Sequence, residues 1–427
     1  MMKNNLYFSI SLLLMLFLAS CHHDEPTLGV DFSAMDNAGK RFVPYSEEVC
    51  DVREEEPWSR LSEVVANEAP EMAISARRPA SSITITDMAR GLLESLNSYK
   101  VHQVCGTYIT TGADGEPVKV SGAVFYPKEG RIKNIIICSH YTVTADHEVP
   151  SQTFPIEALF ASLGYVVVMP DYIGYGASKE LVHPYLQAYV TAETVIDMAL
   201  AVRPFLASRK IVVEHEEIIL IGYSQGGSTS LFVQLMMEQS AAYKGLFKIK
   251  QNYCGGGPYN VARIYDETVR TRTTGIPYAV PMLILGMSEG MAVPLDIDAF
   301  FQDPLLSHYK EWLLSKRYTG TQITQLMGTK NIDKILTPMA LDRSQPETKR
   351  LYRALAYNSV PANFVPEAPV YMFHSIDDQT VPFINAQVQH GYFTQHGVNN
   401  VTYDFGHYGE HADAFLIFMR DVFRKLK

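Results

Sequence analysis

Residues 218–236 read IILIGYSQGGSTSLFVQLM, and this stretch restricts the fold more tightly than any other. Ile218 to Ile221 form a short apolar run. Gly222-Tyr223-Ser224-Gln225-Gly226 then makes a Gly-x-Ser-x-Gly turn, and a helix-forming stretch follows. A strand, a sharp turn with serine at its apex and a helix together lift the serine hydroxyl clear of the backbone. Gly222 and Gly226 stand two residues either side of Ser224, where a Cβ would crowd the turn or the facing helix. The N–H of Gln225 falls at the helix N-terminus, aimed to donate to negative charge developing on a bound carbonyl. Ser224 is therefore expected to be a nucleophile and Gln225 an oxyanion donor.

The rest of the chain alternates short apolar runs with helical patterns. Strands are expected at Ile135 to Ser139, Tyr165 to Met169, Ile218 to Ile221, Lys248 to Cys254, Pro369 to His374 and Val401 to Phe405. Helices are expected at Phe154 to Leu163, Tyr189 to Leu206, Ser228 to Glu238, Phe383 to Gln395 and Ala412 to Leu426, with a further one over 83–100. Such alternation calls for a parallel sheet covered on both faces, an α/β fold. Ahead of it, VHQVCGTYITT and VKVSGAVFYP flank Asp114-Gly115, a hairpin signal. Residues 261–365 break the alternation. They are helix-rich, with many methionine and aromatic residues and one apolar run, Met282 to Leu285, that reads as a possible strand. The organisation expected is a signal segment over 1–21, a tether and lead-in over 22–60, a core over 61–260 and 366–427, and a helical cap inserted at 261–365 above Ser224.

Residues 170–205 carry the most distinctive wording. Pro170-Asp171-Tyr172-Ile173-Gly174-Tyr175-Gly176 is followed by His183-Pro184-Tyr185 and a helix bearing Asp197, and Gly256-Gly257-Pro258-Tyr259 comes later. Together with the elbow these blocks resemble bacterial secreted lipase- and esterase-like lipoproteins of the α/β-hydrolase superfamily, across roughly 100–260 and 365–425. Read from the residues, Asp171, Gly174 and Gly176 hold the loop beside the elbow.

The resemblance implies a Ser-His-Asp triad in the chain order Ser, acid, His, because a serine hydroxyl needs a base and the base needs an orienting acid. In such proteins the acid often sits in an Asp-x-x-Val-Pro turn. Asp378 to Pro382 fits, so Asp378 is the expected acid and Asp377 a neighbour capping the next helix. The base is expected in GHYGEH, as His411, which leads into the last helix, or alternatively as His407. The second oxyanion donor is expected from the loop after the first parallel strand, where His140-Tyr141-Thr142 stands and relatives often have His-Gly. Tyr141 and Thr142 are the candidates, and His147 reads as an ordinary loop histidine. No metal or organic cofactor is called for.

At the N-terminus, Lys3 precedes an apolar run, Leu6 to Leu18, too short to span a bilayer well. It ends in Leu18-Ala19-Ser20-Cys21, which resembles the bacterial lipoprotein box and implies lipidation of Cys21 and a membrane tether. His22 rather than Asp follows, so an outer-membrane address, periplasmic or surface-facing, is expected. Net charge is −10 with no basic run, so nucleic acid is a poor partner. Cys138 and Cys254 read as core thiols, while a Cys50–Cys105 disulfide stays open.

The function expected is cleavage of carboxyl esters, of a lipid or small acyl type, through an acyl-enzyme. The alternatives are a prolyl-type serine peptidase, because Gly226-Gly227 extends the turn to Gly-x-Ser-x-Gly-Gly, and a carbohydrate acetyl or feruloyl esterase. A non-catalytic binding protein on the same fold would need a broken triad.

Overall fold

A computed structural model describes residues 40–52 and 96–427. The expected signal segment with Cys21, most of the tether and residues 83–95 of the helix expected over 83–100 lie outside the described residues, while 96–99 are not helical and Lys100 opens a strand.

The sheet has nine strands in the order β1-β2-β3-β5-β4-β6-β7-β8-β9. β1 (Val43–Asp51), β2 (Lys100–Thr111) and β3 (Pro117–Pro127) are antiparallel to their neighbours, and β3 pairs antiparallel with β5 (Val166–Pro170). From β5 onward every pairing is parallel, through β4 (Ile135–Ser139), β6 (Ile218–Tyr223), β7 (Ile249–Gly255), β8 (Val370–Ser375) and β9 (Val401–Gly406). This is the α/β-hydrolase architecture. The hairpin forms where Asp114-Gly115 marks it, with Gly115 at φ +84° in the turn.

Side chains alternate across the sheet, as a strand's two-residue period requires. Ile218 and Leu220 join a core layer with α1 (Ala188–Ser208) and α2 (Gln225–Gln239). Ile219 and Ile221 join the opposite layer, which holds the short helical segment Ile156–Leu163 and the last helix, residues 411–426. Both faces are thus covered, and the six residues of β6 are all buried.

Between β7 and β8 runs a helical insertion. It includes α3 (Val261–Thr271), α4 (Ala279–Ser288), α5 (Gly320–Met327) and α6 (Pro346–Tyr357). These helices build an apolar cluster of their own, which also takes in Tyr185 from the 170–187 loop. After β8 come α7 (Ile384–Gln395), then β9 and α8 (His411–Leu426). No helix among the described residues is long and apolar enough to cross a membrane.

Two expectations are corrected and one open question is answered. Met282 to Leu285 lies inside α4, because the buried run continues from Val280 to Ser288 and packs on all sides. Residues 43–51, assigned to the lead-in, form edge strand β1, whose residues are mostly exposed and so lack the apolar alternation that reveals a strand. Cys50 stands opposite Val101 and Cys105 opposite Ser46, four residues apart along one ladder. That is about 13 Å, beyond the reach of a disulfide, and neither cysteine is disulfide-bonded. Cys138 and Cys254 are buried thiols.

Glu157 is buried in the helical segment at 156–163, and among the described residues its Oε2 has no hydrogen-bond partner. Burial pushes its pKa from 4.5 up to about 7. The folded value is raised, so the neutral acid contributes full stability below the unfolded pKa, and that contribution is lost as pH rises through about 7. The loss amounts to about 3 kcal/mol at alkaline pH. Glu157→Gln should therefore raise the melting temperature by a few degrees at pH 8.5 and leave it nearly unchanged at pH 4. Thermal melts of the two proteins at both pH values check this.

Candidate active site

Ser224 caps the N-terminus of α2 at φ 57° and ψ −126°, a conformation a residue with a side chain adopts only under strain. The surroundings over-determine it. Its N–H donates to Gly255 O at 2.9 Å, and its own carbonyl accepts from Gly227 N at 2.8 Å. The flanking glycines allow very close packing. A Cβ on Gly222 would lie 2.0 Å from Gly226 O, and one on Gly226 would lie 1.9 Å from Ser139 O, at the end of β4.

His411 opens α8 and is buried. Its Nε2 is 2.8 Å from Ser224 Oγ, and its Nδ1 is 2.5 Å from Asp378 Oδ2. The carboxylate only accepts, so Nδ1 carries the proton and Nε2 offers its lone pair to the serine. Asp378 is itself fixed in the turn after β8, where Oδ1 accepts from the N–H groups of Thr380 (3.0 Å) and Val381 (2.8 Å). Tyr223, inside the elbow, donates its hydroxyl to His411 O at 2.7 Å and ties α8 to the nucleophile turn.

Ser224, Asp378 and His411 are therefore brought together. His407 is not with them. It is exposed, and its Nδ1 pairs with Asp377 Oδ1 at 2.7 Å. Asp377 accordingly does not cap α7, whose N-cap is Phe383. His374 is a buried neighbour that sequence patterning did not single out. Its Nε2–H donates to Val381 O at 2.8 Å and lies 3.6 Å from Asp378 Oδ2. Within an apolar strand nothing marked it as different from a core residue.

Among the described residues the N–H of Gln225 has no acceptor, at the start of α2 and next to Ser224. The close contact of Gly226 with Ser139 O and with His140 O sets this amide beside the loop that continues into Tyr141 and Thr142. The His140 ring stacks on Tyr172 at 4.0 Å, and Tyr172 donates its hydroxyl to His140 O at 3.1 Å. Burial lowers the pKa of His140 to about 4. Thr142 Oγ1 lies 2.9 Å from the Tyr185 hydroxyl. His147 is exposed. Asp171 accepts from the hydroxyls of Ser121 and Ser151, each at 2.6 Å, and from Ser151 N at 2.9 Å, which pins the 170–176 loop. No group of three or more His, Cys, Asp or Glu among the described residues is arranged to hold a metal ion.

The packing at Gly226 makes a direct test possible. Gly226→Ala should destabilise the fold by roughly 3 kcal/mol, because backbone of β4 rather than a mobile side chain must give way. Denaturant unfolding of the variant against the wild type measures this.

Comparison with known proteins agrees with this fold. Residues 143–419 match the model of the secretory lipase family. The rice cell wall degrading esterase LipA from Xanthomonas oryzae is 26% identical over 80% of this chain and 92% of its own, with a TM-score of 0.66. A hydrolase from Legionella pneumophila, 22% identical over 80% of this chain and 94% of its own, has the same fold at a TM-score of 0.68. So does Candida antarctica lipase A, 19% identical over 75% of this chain and 74% of its own, at 0.52. No curated protein matches the chain. With the family model spanning well over half of its length, the chain belongs to the secretory lipase family and is an ester-hydrolysing enzyme of the α/β-hydrolase fold.

Proposed function

We propose that this enzyme is a membrane-tethered serine esterase of the lipase type, acting through Ser224, His411 and Asp378. The hydrogen-bonded line from Ser224 Oγ through the His411 ring to Asp378 carries the reading. Ser224 Oγ attacks the carbonyl carbon of a carboxyl ester as its proton passes to His411 Nε2. Asp378 holds the ring in the Nδ1–H tautomer and stabilises the imidazolium that forms. The carbonyl oxygen takes up the electron pair and accepts from the Gln225 N–H and from an amide of Tyr141 or Thr142. Collapse of this intermediate expels the alkoxide, which takes the proton from His411 and leaves acyl-Ser224. Water, losing its proton to His411, then attacks the acyl group and releases the acid. These steps call on no cofactor.

The insertion over 261–365 is read as a cap over this site. Its wealth of methionine, leucine and tyrosine suits an apolar acyl group. The tether is assigned to lipidated Cys21, with an outer-membrane address. A second reading, an esterase acting on acylated plant polysaccharide, is favoured by the likeness to a rice cell wall degrading esterase.

Ser224→Ala should abolish both turnover and labelling by a fluorophosphonate probe. His411→Ala should lower kcat by about 10⁴-fold or more, while His407→Ala stays within a few-fold of wild type. Labelling that survives Ser224→Ala, or equal losses at the two histidines, would sink the mechanism. p-Nitrophenyl esters of increasing chain length separate the two substrate readings, since preference for acetyl over octanoyl favours the polysaccharide esterase. For the tether, Cys21→Ser should move the enzyme from the membrane fraction to the soluble fraction, as followed by fractionation and palmitate labelling.

A further inference from the structure

His183 opens the His-Pro-Tyr block and is buried in the loop between β5 and α1. Its Nδ1 lies 2.7 Å from Ile173 O, and a carbonyl only accepts, so Nδ1 carries the ring proton. Nε2 then presents a lone pair, and the side-chain Nε2 of Gln225 lies 3.0 Å from it. The Gln225 amide therefore donates to His183. The ring is boxed in by Tyr172, parallel at 6.1 Å, by Tyr175 at 5.0 Å and by Tyr185 at 5.8 Å.

The distinctive loop over 170–176 backs directly onto this residue. Gly174 is at φ +92°, and a Cβ on it would lie 2.6 Å from the His183 backbone. Asp171, held by Ser121 and Ser151, anchors that loop from below. The Pro-Asp-Tyr-Ile-Gly and His-Pro-Tyr blocks thus converge on the side chain of a single residue, Gln225.

Gln225 needs such a hold. It follows Ser224, whose positive φ is strained; the peptide between the two is held at its carbonyl by Gly227 N, donating to Ser224 O at 2.8 Å, and rotation of that peptide would relieve the strain. That rotation would swing the Gln225 N–H away from the pocket. The Gln225 carbonyl is engaged by the hydroxyls of Ser228 (3.0 Å) and Thr229 (2.9 Å), and its side chain by His183. Its backbone N–H is without an acceptor among the described residues. We infer that His183 is a positioning residue for the oxyanion hole, locking Gln225 so that its backbone N–H points at the substrate carbonyl oxygen. This rests on the reading of Ser224 as nucleophile and Gln225 as oxyanion donor. Burial holds the pKa of His183 down to about 3, so the ring remains an acceptor across the working range of an esterase.

The test uses the full chain with His183→Leu, His183→Gln, Gln225→Leu and the double variant His183→Leu/Gln225→Leu. Active sites are counted by covalent titration with a fluorophosphonate, and kcat and KM are measured on p-nitrophenyl butyrate per titrated site. His183→Leu and Gln225→Leu should each lower kcat by about 10- to 100-fold with KM within two-fold, since the donor is displaced rather than deleted. The double variant should fall no further than the singles, because both break one bond. His183→Gln, which can donate to Ile173 O and accept from Gln225, should recover to within about five-fold of wild type. Additive losses, a rise in KM at constant kcat, or a loss that vanishes once titrated sites are counted would overturn the positioning role. Failure of wild-type Ser224 to label overturns the underlying triad instead.

Discussion

The strained peptide at Ser224 is the constraint on which the rest of this structure depends. A serine at φ 57° is stable only if neighbouring backbone holds it there. That backbone comes from β4, through Ser139 O against Gly226, and from β7, through Gly255 O. The turn at Ser224 therefore depends on the two strands on either side of β6, and the parallel sheet acts as a clamp. The glycines at 222, 226 and 227 are consequences of that clamp, since each faces backbone at a distance that leaves no room for a Cβ.

The same clamp gathers the other parts of the site. β8 and β9 extend the sheet past β7, and their ends deliver Asp378 and His411 to the same edge as Ser224. Tyr223, one residue before the serine, reaches across to hold the backbone of His411. On the other side, the loops after β4 and β5 supply His140, Asp171 and His183, three buried polar residues with specific hydrogen-bond partners. Burial keeps both histidine rings neutral, so they act as fixed hydrogen-bonding struts rather than as charges.

Much of this was legible in the sequence, and the unreadable parts have physical causes. Parallel strands buried on both faces are continuous apolar runs, so β4, β5, β6 and β8 stood out. Edge strand β1 did not, because one face and most of its residues meet solvent. Helix α4 is apolar on every side, and its short run Met282 to Leu285 carries no period that separates buried helix from buried strand. The wording around Asp171, Gly174 and His183 was visibly distinctive, yet its target, Gln225, lies 42 residues from His183 and only packing reveals it.

The elbow itself belongs to the sequence. Strand, Gly-x-Ser-x-Gly and helix are local features within nineteen residues, and local sterics alone specify where Ser224 must stand. Two histidines four residues apart were available as partners, His411 preferred and His407 the alternative. The choice between them lies in tertiary structure, because it depends on which ring the start of α8 turns inward over a separation of 187 residues. His411 is turned toward Ser224 and Asp378, whereas His407 is left in solvent beside Asp377. Local chemistry places Ser224 at the apex of its turn, and only the closing of the sheet decides which histidine can reach it.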